Sequence, residues 1–454
     1  MYRTAPLATP EMPPGIPHII GNEFAERFSF YGMRAILMVF MTTALVGHDG
    51  AKDLMGEEQA AKWFHTFVTA VYFTPLLGAL IADLWLGKYR TIIGLSLVYC
   101  LGHLALAVDS TRTGLFVGLT LIAIGSGGIK PCVSAHVGDQ FGQTNARLLP
   151  RIYNWFYLAI NTGSFFSMLI TPWLLAHRGP HVAFALPGVL MFIATVVFWM
   201  GRREFAHIPP EPDKFARELK QPEFLRSLAG LAVIYVFVAM FWSLFDQTSS
   251  RWVAQSEKMD LHVFGIELLP SQLQSVNPLL VITLIPLFSL VVYPALGRVV
   301  EVTPLRKLSA GFFLAVPSFV IPAWIESQIA AGATPSVWWQ ILAYLFMTTA
   351  EILISITCLE FSYTQAPPRL KSFIMGLYLW SVSLGNSFTA LVNWWVEHHK
   401  DGAALDGAAY YWFFVKCISV TAVLFVFVAM FYKGRTHLQQ ETPAPPDTPP
   451  VGGG

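Results

Sequence analysis

The sequence predicts an all-α, polytopic membrane protein built as two six-helix bundles. Three observations carry this. Only 13% of the 454 residues are charged and 54% are hydrophobic, against about 25% charged in soluble domains. A hydropathy pass finds twelve apolar stretches of the length a bilayer requires. The longest polar connection, 202–225, falls between the sixth and the seventh of them.

The twelve spans are expected at 16–46, 60–86, 90–109, 113–136, 151–177, 182–201, 226–250, 272–297, 305–326, 336–365, 371–398 and 408–433. They divide the chain into an N-terminal tail (1–15), a first bundle (16–201), a linker (202–225) and a second bundle (226–433). A Pro/Gly-rich tail (434–454), expected to be disordered, ends it. The first 18 residues are rich in proline and do not read as a cleavable signal peptide. Basic residues orient the chain. With the N-terminus inside, cytoplasmic segments hold 18 Lys and Arg and the outer loops hold 6. Both termini are therefore expected in the cytoplasm and the protein in the cell inner (plasma) membrane. There is no basic cluster for nucleic acid. The four cysteines are scattered, without CxxC or zinc spacing, so no metal or other cofactor is expected.

Span 1 is the most informative element. It contains EFAERFSFYGMR, with four charges where a lipid-facing helix carries none. One charge at mid-bilayer costs about 2.5–3.5 kcal/mol on insertion scales. At about 100° per residue, Glu23, Arg27, Phe30 and Arg34 fall within roughly 60° of one another, with Glu26 and Tyr31 beside them. Such a stripe suits a water-filled pathway. Ion pairs that only hold a bundle together are poor stabilisers.

The later spans add His65 and Tyr72 (span 2), Lys130 before Pro131 (span 4), and Tyr157 and Asn161 (span 5). Asp246 and Gln247 lie in span 7, Asn277 in span 8, and Glu351 and Glu360 in span 10. Arg251, near the outer end of span 7, reads as a snorkelling anchor. Arg27, Arg34 and Lys130 nearly balance Glu23, Glu26, Asp246 and Glu351. Two pairs are expected to gate the pathway between the bundles, Arg34 with Asp246 and Lys130 with Glu351.

After span 2 the chain reads GALIADLWLGKYRT, which looks like the loop joining spans 2 and 3 of major facilitators. ExxERFxxYG in span 1, GSGGIKP in span 4, WFYLAINTGSFF in span 5, FWSLFDQTSSRW in span 7 and LEFSYTQAP in span 10 extend the likeness. Together they resemble the proton-dependent oligopeptide transporters, over nearly the whole chain. HTFVTAVYFTPLLGALIADLWLGKYRT is similar to the animal members in particular. The chain departs from the family at Phe30, where a tyrosine is usual, and at Tyr378, where a tryptophan is common. A short loop near 327–336 stands where animal members carry a large insert.

The resemblance implies a major facilitator fold and a proton-driven symporter of di- and tripeptides, working as a monomer in the lipid bilayer. The residue chemistry agrees. A peptide presents one carboxylate and one ammonium around a variable middle. Arg27, Arg34 and Lys130 suit the carboxylate. Glu351, Asn161 and Asn277 suit the ammonium. Tyr31, Tyr72 and Tyr157 suit the backbone, although interhelix packing would use the same rings, and Tyr378 borders a side-chain subsite. Protons need groups whose charge changes with their partners, and Glu23, Glu26, Arg27, His65 and Asp246 are the candidates. His65 could equally be structural. Another small anion such as nitrate, or a peptidomimetic drug, on the same fold is the alternative substrate. HExxH and GxSxG are absent, so an enzyme is not expected.

Overall fold

A bilayer supplies no hydrogen bonds, so each apolar stretch must satisfy its own backbone as a helix. The computed structural model describes residues 2–210, 212–365, 371–398 and 405–432. The first half holds α1 (Ile16–Val39), α2 (Glu57–Ile81), α3 (Lys88–Val108), α4 (Arg112–Gly138), α5 (Leu149–Arg178) and α6 (Pro180–Met200). A short helix, α7 (Pro212–Leu219), lies in the linker. The second half holds α8 (Pro222–Phe245), α9 (Arg251–Ser256), α10 (Val276–Leu287), α11 (Tyr293–Leu296), α12 (Pro304–Ala330), α13 (Trp338–Glu351), α14 (Thr357–Gln365), α15 (Lys371–His398) and α16 (Ala408–Phe431).

Ten of the described helices are long and apolar enough to cross a membrane. The charges of α1 keep it out of that ten; with α15 it completes the twelve expected spans. The expected C-terminal tail, 434–454, and the side chain of Glu360 lie outside the described residues.

Five spans depart from the regular helices that hydropathy suggests. α1 continues through a π-helical turn at Phe40–Ala44 and α2 through another at Ala82–Leu86. π turns also join α10 to α11 and α13 to α14, the latter directly after Glu351. Such turns are frequent at functional sites. Span 7 breaks at Asp246: α8 ends, a 3-10 turn covers Asp246–Ser249, and α9 starts at Arg251. Hydropathy registers apolar content and is blind to such a break.

Buried apolar side chains form two cores, one per half. The first runs from Ile16 to Phe205 and gains Ala254; the second runs from Leu231 to Phe425. Tyr72 packs against both. Within the first half, Gly78 of α2 meets Gly128 of α4 backbone to backbone. A Cβ on Gly78 would lie 2.7 Å from the Gly128 carbonyl oxygen, so only glycine permits this approach. Lys88 bonds Asp139 at 2.7 Å and ties the start of α3 to the end of α4.

The N-terminal tail is docked onto the linker. Tyr2 stacks on His207 at 4.4 Å, and the His207 N–H donates to the Arg3 carbonyl at 2.7 Å.

We call the end at which α1 begins the near end and the opposite end the far end. The halves are joined by contacts running from mid-helix to the far end. Phe73 of α2 stacks on Trp380 of α15 at 5.2 Å, and Lys62 bonds Glu397 at 2.7 Å between the same helices. Gln272 and Gln274, just before α10, donate to the Leu169 and Ala35 carbonyls, each at 2.9 Å.

Candidate functional site

The charged stripe of α1 is buried inside the bundle. Glu23 and Glu26 are each 1% exposed. Arg27 bridges them, with its Nε 2.6 Å from Glu23 and 3.1 Å from Glu26. α5 lies tightly behind this cluster because residue 163 is glycine. A Cβ there would come within 2.7 Å of the Phe24 carbonyl.

Two turns further along α1, Arg34 donates to Asp246 across the boundary between the halves. Asp246 caps the C-terminal end of α8, the negative end of a helix, where an anion is disfavoured. It needs donors, and Arg34 and Asn386 provide them. The Asn386 amide donates to the second Asp246 oxygen at 2.6 Å. That contact fixes the orientation of the Asn386 amide, because an ionised carboxylate only accepts. The Asn386 oxygen then faces His65 Nδ1 at 2.7 Å, so Nδ1 carries a proton. In neutral His65 the other nitrogen, Nε2, is the acceptor, and Ser250 Oγ donates to it at 2.9 Å. This tautomer follows from the bonding pattern. Ser250, His65, Asn386 and Asp246 form one chain of donors directed toward Asp246, with Arg34 at its end.

Lys130 lies on α4, its ammonium 3.9 Å from the Phe30 ring centre and 4.4 Å from that of Tyr72. It is buried and has no hydrogen-bond partner among the described residues. Glu351 is held by Asn277 at 2.7 Å, and Asn277 also reaches Thr348 at 3.0 Å. The pair expected between Lys130 and Glu351 is therefore not formed here. The ammonium rests on aromatic faces and the carboxylate on an amide, one in each half. Tyr31 and Tyr157 lie within electrostatic range of Glu351.

Of the residues expected at the ammonium end, Asn277 joins Glu351. Asn161 uses its amide within its own helix, donating to the Tyr157 carbonyl at 3.0 Å. Tyr378 is buried, with its hydroxyl 3.1 Å from Ser355 Oγ in the π turn after Glu351.

Arg251 corrects the sequence reading. It does not snorkel. It is 7% exposed and donates twice to Asn393, at 3.0 and 2.8 Å, and to Glu57 at 2.9 Å. Its place beside an apolar span hid partners supplied by α2 and α15.

Asn386, Asn393, Ser250 and Glu57 were missed entirely. One signal was available for two of them. Asn386 and Asn393 are seven residues apart in span 11, hence on one helix face.

The sequence profile of the POT family matches residues 89–222 and 214–413. Peptide transporter family 1 of Drosophila melanogaster is 39% identical over 373 residues, covering 71% of this chain and 49% of its own length. Solute carrier family 15 member 2 of Homo sapiens is 36% identical over 399 residues, covering 76% and 53%. The chain thus spans about half the length of these curated relatives. Among solved structures, an auto-inhibited POT family peptide transporter superposes with a TM-score of 0.87 at 34% identity, over 94% of this chain and 99% of that one. The POT family transporter PepTSo gives 0.84 at 36% identity, over 92% and 98%.

Proposed function

Because this chain belongs to the POT family, with the major facilitator fold expected from its sequence, we propose that it is a proton-coupled symporter of di- and tripeptides that works by alternating access. One observation supports this above the rest. The two halves present opposite, separately held charges: Lys130 on aromatic rings in the first, Glu351 on Asn277 in the second. A zwitterion of peptide length satisfies both at once, carboxylate toward Lys130 and Arg27, ammonium toward Glu351. A single small anion such as nitrate leaves Glu351 unused.

The near end is the cytoplasmic one in this reading, since basic residues favour it 18 to 6. The conformation is then closed to the outside by Arg34, Asp246 and the contacts between α2 and α15. Protons act on the carboxylates. A proton on Asp246 removes the charge that holds Arg34 and lets the far end part. A proton on Glu23 or Glu26 loosens Arg27 and frees it for the peptide carboxylate. A ligand moves such an equilibrium only through its differential affinity for the two states. Peptide bridging Lys130 and Glu351 draws the near end together and so favours the opposite closure. The protein works as a monomer in the cell membrane.

The test is competition against a labelled dipeptide in proteoliposomes. Dipeptides and tripeptides should compete, and free amino acids and nitrate should not. Competition by nitrate alone would move the assignment to the alternative substrate class.

A further inference from the structure

Arg251 divides its guanidinium between the halves. Nη1 donates to Glu57 Oε1 on α2 of the first half at 2.9 Å, with Glu58 Oε1 at 3.7 Å. Nε and Nη2 both donate to Asn393 on α15 of the second. The Tyr410 ring of α16 lies 4.5 Å beneath it. Lys258 lies 3.8 Å from the other Glu57 oxygen. Among the described residues, Glu326 and Asp406 add to the charges around a polar cleft of about 70 Å³ beside this contact. Arg251 is nearly buried, while the Glu57 side chain is 32% exposed, so solvent reaches the acid side of the bond.

Each of these partners is mechanically joined to the His65 chain. Arg251 follows Ser250, whose hydroxyl bonds His65 Nε2. Asn393 lies two turns along α15 from Asn386, which bonds His65 Nδ1 and Asp246. Glu57 and His65 share α2. The peptide link 250–251 and two helices therefore connect the Arg251 contact to both nitrogens of His65.

We propose that Arg251, with Glu57 and Asn393, is a positioning lock for His65. While Arg251 holds Glu57, Ser250 is pressed onto His65 and the far end stays shut. Release of Glu57 withdraws Ser250 and frees His65 to change its proton and its partners. This deepens the transport reading above and rests on it, adding a second lock in series with Arg34 and Asp246. The reason is geometric. Arg34 and Asp246 close mid-helix, and Arg251 closes the rim, so opening the far end must break both contacts and the loss of either lowers its cost.

The experiment uses the full chain in liposomes, spin-labelled at Ala51→Cys and Ala333→Cys, exposed loop positions at the far end of opposite halves. No substrate is added, so a wrong substrate assignment does not obscure the result. Glu57→Gln should raise the long-distance population severalfold. Arg251→Lys should do the same more weakly, because one ammonium cannot hold Glu57 and Asn393 together. The positioning role is read separately from the nitrogen resonances of His65 in histidine-labelled protein. They should move in Arg251→Lys and stay in Lys62→Gln, which breaks another far-end pair not attached to Ser250. Unchanged distances in folded Glu57→Gln and Arg251→Lys overturn the lock. His65 signals that respond equally to Lys62→Gln overturn the positioning role.

Discussion

The Lys130 ammonium stands 3.9 Å from the centre of the Phe30 ring and bonds to no carboxylate among the described residues. A cation over an aromatic face gains about 0.5–2 kcal/mol, enough to hold the charge in place while a ligand carboxylate can still claim it. Lys130→Ala should fold and lose proton-driven uptake of a labelled dipeptide. Phe30→Leu should weaken dipeptide affinity about two- to tenfold, the equivalent of about 0.5–1.4 kcal/mol. Equal affinity in Phe30→Leu and the parent, by calorimetry, would remove the ring from the site.

Glu23 and Glu26 share one cation, Arg27. Neutralising either carboxylate by Glu23→Gln or Glu26→Gln should abolish gradient-driven accumulation, because one titrating group of the pair is gone. Exchange of labelled for unlabelled peptide across the membrane, which needs no net proton movement, should remain measurable. Full accumulation in both variants would rule these two residues out as proton sites.

Arg34 and Asp246 are a buried pair between the halves. Removing one member leaves an uncompensated charge, at a cost of roughly 3–5 kcal/mol. Asp246→Ala should therefore shift the protein away from the far-end-closed state and impair transport severely. Asp246→Asn should be milder, since an amide can still accept from Arg34. A far-end distance distribution unaltered in Asp246→Ala would count against the gate.

These contacts were legible in the sequence to differing degrees. The charged stripe of α1 follows from spacing alone, and a cation on α1 opposite an acid on span 7 suggests their pairing. Counting charges joins Lys130 to Glu351. Counting cannot see that Phe30, Tyr72 and Asn277 hold the two groups separately in this conformation. Arg251 reads as an anchor because snorkelling and cross-half pairing look alike until Glu57 and Asn393 are brought beside it. The break at Asp246 leaves no trace in hydropathy, and it is what turns Ser250 toward His65.

Glu351 is held by Asn277 in the second half. Glu351→Ala should weaken binding of peptides with a free amino terminus by about tenfold or more, as expected for loss of one charged contact of about 1.5–3 kcal/mol. N-acetylated peptides should hardly change. Equal losses for free and acetylated peptides would end the ammonium-binding role.

The most direct test of proton-coupled peptide transport is uptake of a labelled dipeptide into proteoliposomes, with and without an inward proton gradient. Accumulation above the external concentration is expected only with the gradient, with collapse when a protonophore is added. Uptake that merely equilibrates, and at the same rate with and without the gradient, would contradict it.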